Sequence, residues 1–240
     1  MLNVVVTDPP RADLAEVDKL AAYGVATVHE AIGRNGYLGP GIRPIQQGTR
    51  IAGTALTVLC WPGDNLMLHV AVEQAKHGDI LVVTTASPCT DGLFGELIAT
   101  SVSARGVRGL IMGAGLRDTA ELREMGFPAW TANVSAQGTV KETAGSVNVP
   151  VTIGGQVIRA GDAIVADDDG VVRVPRLDVG KAVSASAARI AKEDTNRKSL
   201  ADGQLGLDMY GLRAKLTKVE YITAAEYARR AGEGEGGGAS

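Results

Sequence analysis

The sequence predicts an α/β fold with a central, largely parallel βαβ unit, and three observations carry that prediction. Residues 79–86 (DILVVTTA) and 107–113 (VRGLIMG) are continuous apolar runs, the pattern of strands covered on both faces. Stretches with helical spacing alternate with them, as parallel strands joined by crossover helices require. The composition is 45% hydrophobic but only 4% aromatic, so the core is aliphatic, and 31 glycines point to many tight turns.

Taken in order, residues 13–23 place Leu14, Val17, Leu20 and Ala21 at helical spacing, and a second short helix starts near Thr27. Residues 35–44 (NGYLGPGIRP) read as loop and 49–59 as a strand. The turn PGDN at 62–65 opens a helix over 66–78. The strand 79–86 follows, then a loop (SPCTDG), a helix over 95–106, the strand 107–113, a helix over 118–126 and a short strand over 127–133. Residues 147–175 carry strand patterns split by Gly-Gly and Asp-Gly, which are hairpin signals. A long alanine-rich helix over 177–200 and a final helix near 223–231 complete a single domain spanning 1–232. The Gly-rich tail 233–240 has nothing to bury and is expected to be disordered.

The net charge of −3 comes without a basic stripe, which argues against nucleic-acid binding by phosphate neutralisation. Two cysteines are too few for a disulfide framework or a cysteine metal cage. The start lacks the pattern of a signal peptide and no run reaches transmembrane length, so the expectation is a cytoplasmic protein without membrane contact.

The chemistry centres on residues 113–118, GAGLRD, read as a small flexible loop at the carboxyl end of a buried strand. Ligands bind at such ends in α/β sheets. Arg117 and Asp118 have a plain alternative, a surface salt bridge or a helix N-cap, since Asp118 opens a helix. Against it stands the helix start Gly95-Glu96-Leu97-Ile98, whose open N–H groups and positive dipole end suit a carboxylate or phosphate. An anion held between those amides and Arg117, with Asp118 beside it, suggests a divalent metal chelated by a 2-keto acid. The histidines His29, His69 and His77 lack metal spacing and read as packing, as does Cys89. Asp167-Asp168-Asp169-Gly170 reads as an acidic hairpin turn. Lys76 and Lys141 lie outside the motif, which argues mildly against Schiff-base chemistry.

The run GELIATSVSARGVRGLIMGAGLRDTAELREMGFPAW resembles the signature of the RraA-like proteins. Further segments, PGDNLMLHVAVEQ, SAQGTVKETAGSVNVPV and LGLDMYGLR among them, resemble the family's 4-carboxy-4-hydroxy-2-oxoadipate and 4-hydroxy-4-methyl-2-oxoglutarate aldolase branch. The resemblance implies a swivelling β/β/α sandwich assembled as a homo-oligomer, a trimer or a hexamer. It implies that Gly95, Glu96, Leu97 and Ile98 bind the pyruvate carboxylate with Arg117. Asp118 would ligate Mg²⁺ or Mn²⁺ directly, with Glu96 and a neighbouring subunit's Glu193 reaching the metal through water. Arg117, Asp118 and Glu96 would be the catalytic residues of a retro-aldol cleavage that releases pyruvate, with oxaloacetate decarboxylation as a side activity. One departure is Gly113, which stands where many members have Asp. It leaves open a divergent lyase, decarboxylase or hydratase. A further alternative is an RraA-type regulator that inhibits a ribonuclease by contact.

Overall fold

A computed structural model describes residues 3–232; the expected disordered tail at 233–240 lies outside the described residues. The chain divides into two units, 1–191 and 192–240, each treated by itself below.

In the first unit, α1 (Leu14–Tyr23) starts where the Asp13 carboxylate accepts the N–H groups of Ala15 and Glu16, and it buries Val17 and Leu20. In α2 (Val25–Ala31) the cap residue Gly24 has no side chain to offer, and the Asp167 carboxylate accepts the Val25 N–H instead. The chain continues through β1 (Arg43–Pro44), β2 (Ile51–Cys60), α3 (Leu66–Gln74), β3 (Asp79–Thr85), β4 (Gly92–Phe94), α4 (Glu96–Ser103), β5 (Leu110–Leu116), α5 (Thr119–Glu124) and β6 (Ala129–Val134). It ends in β7 (Ser146–Val147), β8 (Val151–Ile153), β9 (Gln156–Ile158), β10 (Ala163–Asp167), β11 (Gly170–Val174) and α6 (Val179–Ala201), which runs on into the second unit.

The main sheet has the order β1-β6-β5-β3-β2-β10-β11, with β4 beside β5 and β7 beside β2; β8 and β9 form a separate hairpin. The four strands β6, β5, β3 and β2 are mutually parallel, with Leu81 opposite Leu110 and Leu110 opposite Ala129. β1, β10 and β11 join the sheet antiparallel. The result is an α/β fold on a mixed sheet, with the expected parallel βαβ unit at its centre.

Both faces of the parallel strands are covered. Leu81, Val83, Leu110 and Met112 pack with Leu68 of α3 and with Ala99 and Val102 of α4. Their alternate neighbours Ile80, Val82 and Ile111 pack on the other face with Trp130, Ile153 and Ile158. A third cluster joins α1 and α2 to Val165 and Val172. Ion pairs are buried as well, Arg11 with Asp79 and Arg173 with Asp162. Arg11 grips both oxygens of the fully buried Asp79 at 2.9 Å, and Asp79 also accepts from the Thr54 hydroxyl at 2.6 Å and the Lys76 N–H at 2.9 Å.

Two expectations need correction. Residues 113–116 are not a flexible loop but the end of β5. Gly115 serves lateral approach: a Cβ there would stand 2.3 Å from the Thr90 carbonyl oxygen, so a side chain would prevent β4 and its leading segment from closing on β5. The 35–44 stretch also carries β1 at its end.

In the second unit, α6 is followed by α7 (Gly206–Met209) and α8 (Ala224–Ala231), the latter capped by the Thr223 hydroxyl accepting the Glu226 N–H. Among the described residues, no helix is long and apolar enough to cross a membrane.

Candidate active site

The carboxyl end of β5 delivers Arg117 and Asp118. The Arg117 N–H donates to the Phe94 carbonyl at 2.9 Å, which ties the end of β5 to the last residue of β4. Asp118 then enters the left-handed region, φ 57° and ψ 42°. That conformation costs a non-glycine residue roughly 1 kcal/mol or more, and aspartate is among the few that visit it. Its effect is directional. The Asp118 carboxylate makes no cap to its own helix α5. It swings across to the neighbouring helix, where Oδ2 accepts the Glu96 N–H at 3.1 Å. Asp118 thus caps the neighbouring helix α4 and not the helix α5 that it opens. Gly95 makes room for this crossing: a Cβ there would meet Asp118 Oδ2 at 2.3 Å. Arg117 Nε lies 3.6 Å from the same oxygen.

With Glu96 engaged, the N–H groups of Leu97 and Ile98 are the open donors of the first turn of α4; among the described residues neither has an acceptor. Of the amides expected over 95–98, the Glu96 N–H is thus taken by Asp118. Glu96 Oε1 accepts the Thr100 hydroxyl at 3.0 Å, which draws the carboxylate along the helix.

These groups line a cleft of about 340 Å³ together with Asn65, His69, Leu93 and Lys141. Asn65 and His69 come from the start of α3, four residues apart on one helical face. Asn65 Nδ2 donates to the Leu93 carbonyl at 2.9 Å, while its Oδ1 is buried with no partner. A buried acceptor left unpaired is costly.

Lys141 arrives on the loop after β6. That loop is fixed at both ends. The Ser135 N–H donates to the Leu116 carbonyl, and the Gly92 N–H to the Gln137 carbonyl. Further on, the buried Asp64 carboxylate accepts the N–H groups of Leu66, Glu142 and Thr143 at 2.9, 2.8 and 2.7 Å. Burial pushes the Asp64 carboxyl upward, but those backbone donors, together with the Thr143 hydroxyl, outweigh it and hold the group below the ordinary carboxylate range.

The structure brings together Gly95, Glu96, Leu97, Ile98, Arg117 and Asp118 as expected, and adds residues the sequence reading assigned elsewhere. Lys141 lies on the cleft, so its supposed distance from the motif no longer counts against it. His69 also lines the cleft and is exposed rather than packed. The i, i+4 spacing of Asn65, the last residue of PGDN, and His69 is the signal available in the sequence. Lys76 pairs with Asp8, outside the cleft. Gly113 lies in a separate cleft with Thr84, Ala132 and Ile153, and its Cβ would face Ile153, Thr84 and the Val83 carbonyl at 3.3 Å. A carboxylate at that position would not point at Asp118. Cys89 packs against the core, as expected, and burial pushes the Cys60 thiol up to about 12. Asp168 and Asp169 form the turn between β10 and β11, as read. Glu193 lies in the second unit, on α6.

The donor set fits a hard divalent cation held mainly by water. Among the described residues no cluster of three His, Cys, Asp or Glu side chains is poised for a metal. Among the described residues Asp118 Oδ1 has no hydrogen-bond partner, and one direct carboxylate with water filling the remaining positions is a common way to bind Mg²⁺.

A family model described as RraA-like, Aldolase/RraA, matches residues 25–173. A protein of Burkholderia multivorans is 34% identical over 158 residues, covering 66% of this chain and 90% of that protein. One of Halalkalibacterium halodurans is 27% identical over 169 residues, covering 70% and 80%. Both carry the name "Putative 4-hydroxy-4-methyl-2-oxoglutarate aldolase". The crystal structure of Streptomyces coelicolor RraAS2, described as an unusual member of the RNase ES inhibitor RraA protein family, superposes with a TM-score of 0.71 at 28% identity, covering 79% of this chain and 98% of that one.

Proposed function

The chain belongs to the RraA-like, Aldolase/RraA family, and from that premise we propose that it is a divalent-metal-dependent lyase. In this reading it cleaves 4-hydroxy-2-oxo acids of the 4-carboxy-4-hydroxy-2-oxoadipate and 4-hydroxy-4-methyl-2-oxoglutarate type and releases pyruvate. The observation that carries the reading is the left-handed turn at Asp118. It sets a carboxylate beside Arg117 and against an α-helix start that keeps two N–H groups open.

The Leu97 and Ile98 amides take the carboxylate next to the keto group, where the helix dipole favours negative charge. Arg117 donates to the keto oxygen and stabilises the charge that grows there. Asp118, and Glu96 through water, would hold Mg²⁺ or Mn²⁺, which would supply Lewis acidity for the charge that develops on the keto acid. In the retro-aldol step a base removes the C4 hydroxyl proton and the C4–O bond becomes a carbonyl. The C3–C4 bond breaks, and its electron pair enters the pyruvate enolate. Arg117 holds that enolate until C3 takes a proton from water. Oxaloacetate loses carbon dioxide to the same enolate, so decarboxylation belongs to the same site. Glu193 of a neighbouring copy completes the assembly in this reading, within a homo-oligomer.

A coupled pyruvate assay tests this. Turnover should vanish with EDTA, return with Mg²⁺ or Mn²⁺, and fall by at least about 100-fold in Asp118→Asn. Full activity after chelation, or in that variant, refutes the reading. Capture of a ribonuclease by protein that turns over none of these acids would favour the regulator that the likeness to RraAS2 also brings into view.

A further inference from the structure

The strand β11 is the last of the main sheet, and residues 36–38 run along its outer edge. The Arg173 N–H donates to the Gly36 carbonyl at 2.8 Å and the Leu38 N–H to the Val171 carbonyl at 3.0 Å. Gly36 permits that close approach, because a Cβ there would meet the Arg173 carbonyl oxygen at 2.0 Å. Where this cover stops, a cleft of about 470 Å³ opens between the end of α2, the start of β9, the end of β11 and the start of α6. Its lining residues all lie in the first unit, and it shares none with the cleft at Asp118.

The two walls of this cleft differ in chemistry. The helical wall is apolar, with Ile32 from the end of α2 and Ala182 and Ala185 from α6. The strand wall carries Gln156 and Arg173. Lys181 and Asp178, paired at 3.3 Å, also line it. The side chain of Arg173 is only 15% exposed, yet its donors are mostly unspent. Nη2 donates to the Val157 carbonyl at 2.7 Å, and neither Nε nor Nη1 has an acceptor among the described residues. The Gln156 amide has no partner among them either.

The contrast with Arg11 is instructive. Arg11 spends Nε and Nη2 on the Asp79 carboxylate at 2.9 Å each. Asp162 stands 3.7 Å from Arg173 Nε, beyond hydrogen-bond reach, because its two oxygens take the Arg159 and Arg176 N–H groups at 3.0 and 3.1 Å. Those amides disperse the Asp162 charge and leave the guanidinium as an open donor. A planar guanidinium with free N–H groups selects a carboxylate over a neutral acceptor, since the bond is charge-assisted on both sides. A cleft of this size with one apolar wall and a few convergent polar groups is the usual form of a small-molecule site.

We propose that this cleft is a second ligand site, one that takes a small organic acid with its carboxylate on Arg173 and Gln156 and its apolar body against Ile32, Ala182 and Ala185. The proposal does not depend on the lyase reading, and it stands or falls by binding alone.

The experiment titrates the full chain with 3-phenylpropanoate, 3-phenylpropanamide and acetate by calorimetry, in EDTA so that no metal supports binding at Asp118. It compares wild type, Arg173→Gln, Ala185→Leu and Asp118→Asn, each checked for fold by circular dichroism. Wild type should bind the aromatic acid at least about tenfold more tightly than its amide or acetate, the range for a hydrogen bond to a charged group. Arg173→Gln should remove the preference for acid over amide. Ala185→Leu, which fills the helical wall, should weaken both by about tenfold or more, and Asp118→Asn should match wild type. No binding by wild type, or an undiminished preference in folded Arg173→Gln, overturns the proposal. So does loss of binding in Asp118→Asn, which puts the acid in the other cleft. Should Arg173→Gln fail to fold, Ala185→Leu decides: undiminished acid binding there overturns the site, and a tenfold loss upholds it.

Discussion

Replacing Asp64 by asparagine removes one charge from a site that has no exposed surface to absorb the change. Asp64 is only 2% exposed, and its two oxygens accept three backbone N–H groups. Asparagine offers one acceptor oxygen. Placed toward Glu142 and Thr143, it keeps two bonds, but these fall from charge-assisted to neutral strength, about 1 kcal/mol lost from each. The new NH₂ then faces the Leu66 N–H, donor against donor, which costs roughly another 1–2 kcal/mol. Relief from burying a charge offsets part of this. The expected net loss is about 2–3 kcal/mol, or roughly 5–10 °C in Tm for a unit of this size. The pH dependence carries the stronger test. The folded carboxyl sits below its unfolded value of about 3.9, so its stabilisation is complete above that value and is lost as pH falls through the folded pKa. Urea unfolding of both proteins should therefore give a constant gap from about pH 5 to 8 that closes below about pH 4. A gap under about 0.5 kcal/mol, or one that persists unchanged into acid, would refute the assignment of the three backbone donors to an ionised Asp64.

Gly95→Ala puts a methyl group where Asp118 Oδ2 now lies, 2.3 Å from the new Cβ, so the carboxylate must leave the helix start. Pyruvate release should fall by about 100-fold or more with the fold retained by circular dichroism, since displacement of about 1 Å at a reacting centre costs that much. Gly113→Ala should cost about 1 kcal/mol in stability, from its three contacts at 3.3 Å, and leave kcat/KM near wild type, because that position belongs to the other cleft. Arg11→Met leaves the Asp79 carboxylate buried without its cation and should destabilise by about 3–5 kcal/mol in urea titration. A loss below 1 kcal/mol there would mean that Thr54 and the Lys76 amide are enough to hold the charge.

The order of strands and helices was legible because periodicity is a local property: the runs at 79–86 and 107–113 are apolar on both faces whatever they pack against. The same holds for where Glu96, Arg117 and Asp118 fall, since they sit at strand and helix ends that the pattern already locates. Their orientation was not legible. Nothing in GAGLRD says that Asp118 adopts a left-handed backbone and caps α4 rather than α5, because that choice depends on the packing of β4 against β5 and on the empty space at Gly95 and Gly115. Nor does any spacing join Lys141 to Asn65. The two meet because a buried carboxylate at 64 satisfies its charge with amides 78 and 79 residues further along the chain. Local sequence prescribes which groups are available and on which elements. Which of them face one another follows from long-range burial, where unpaired charges and polar atoms must find partners wherever the fold supplies them.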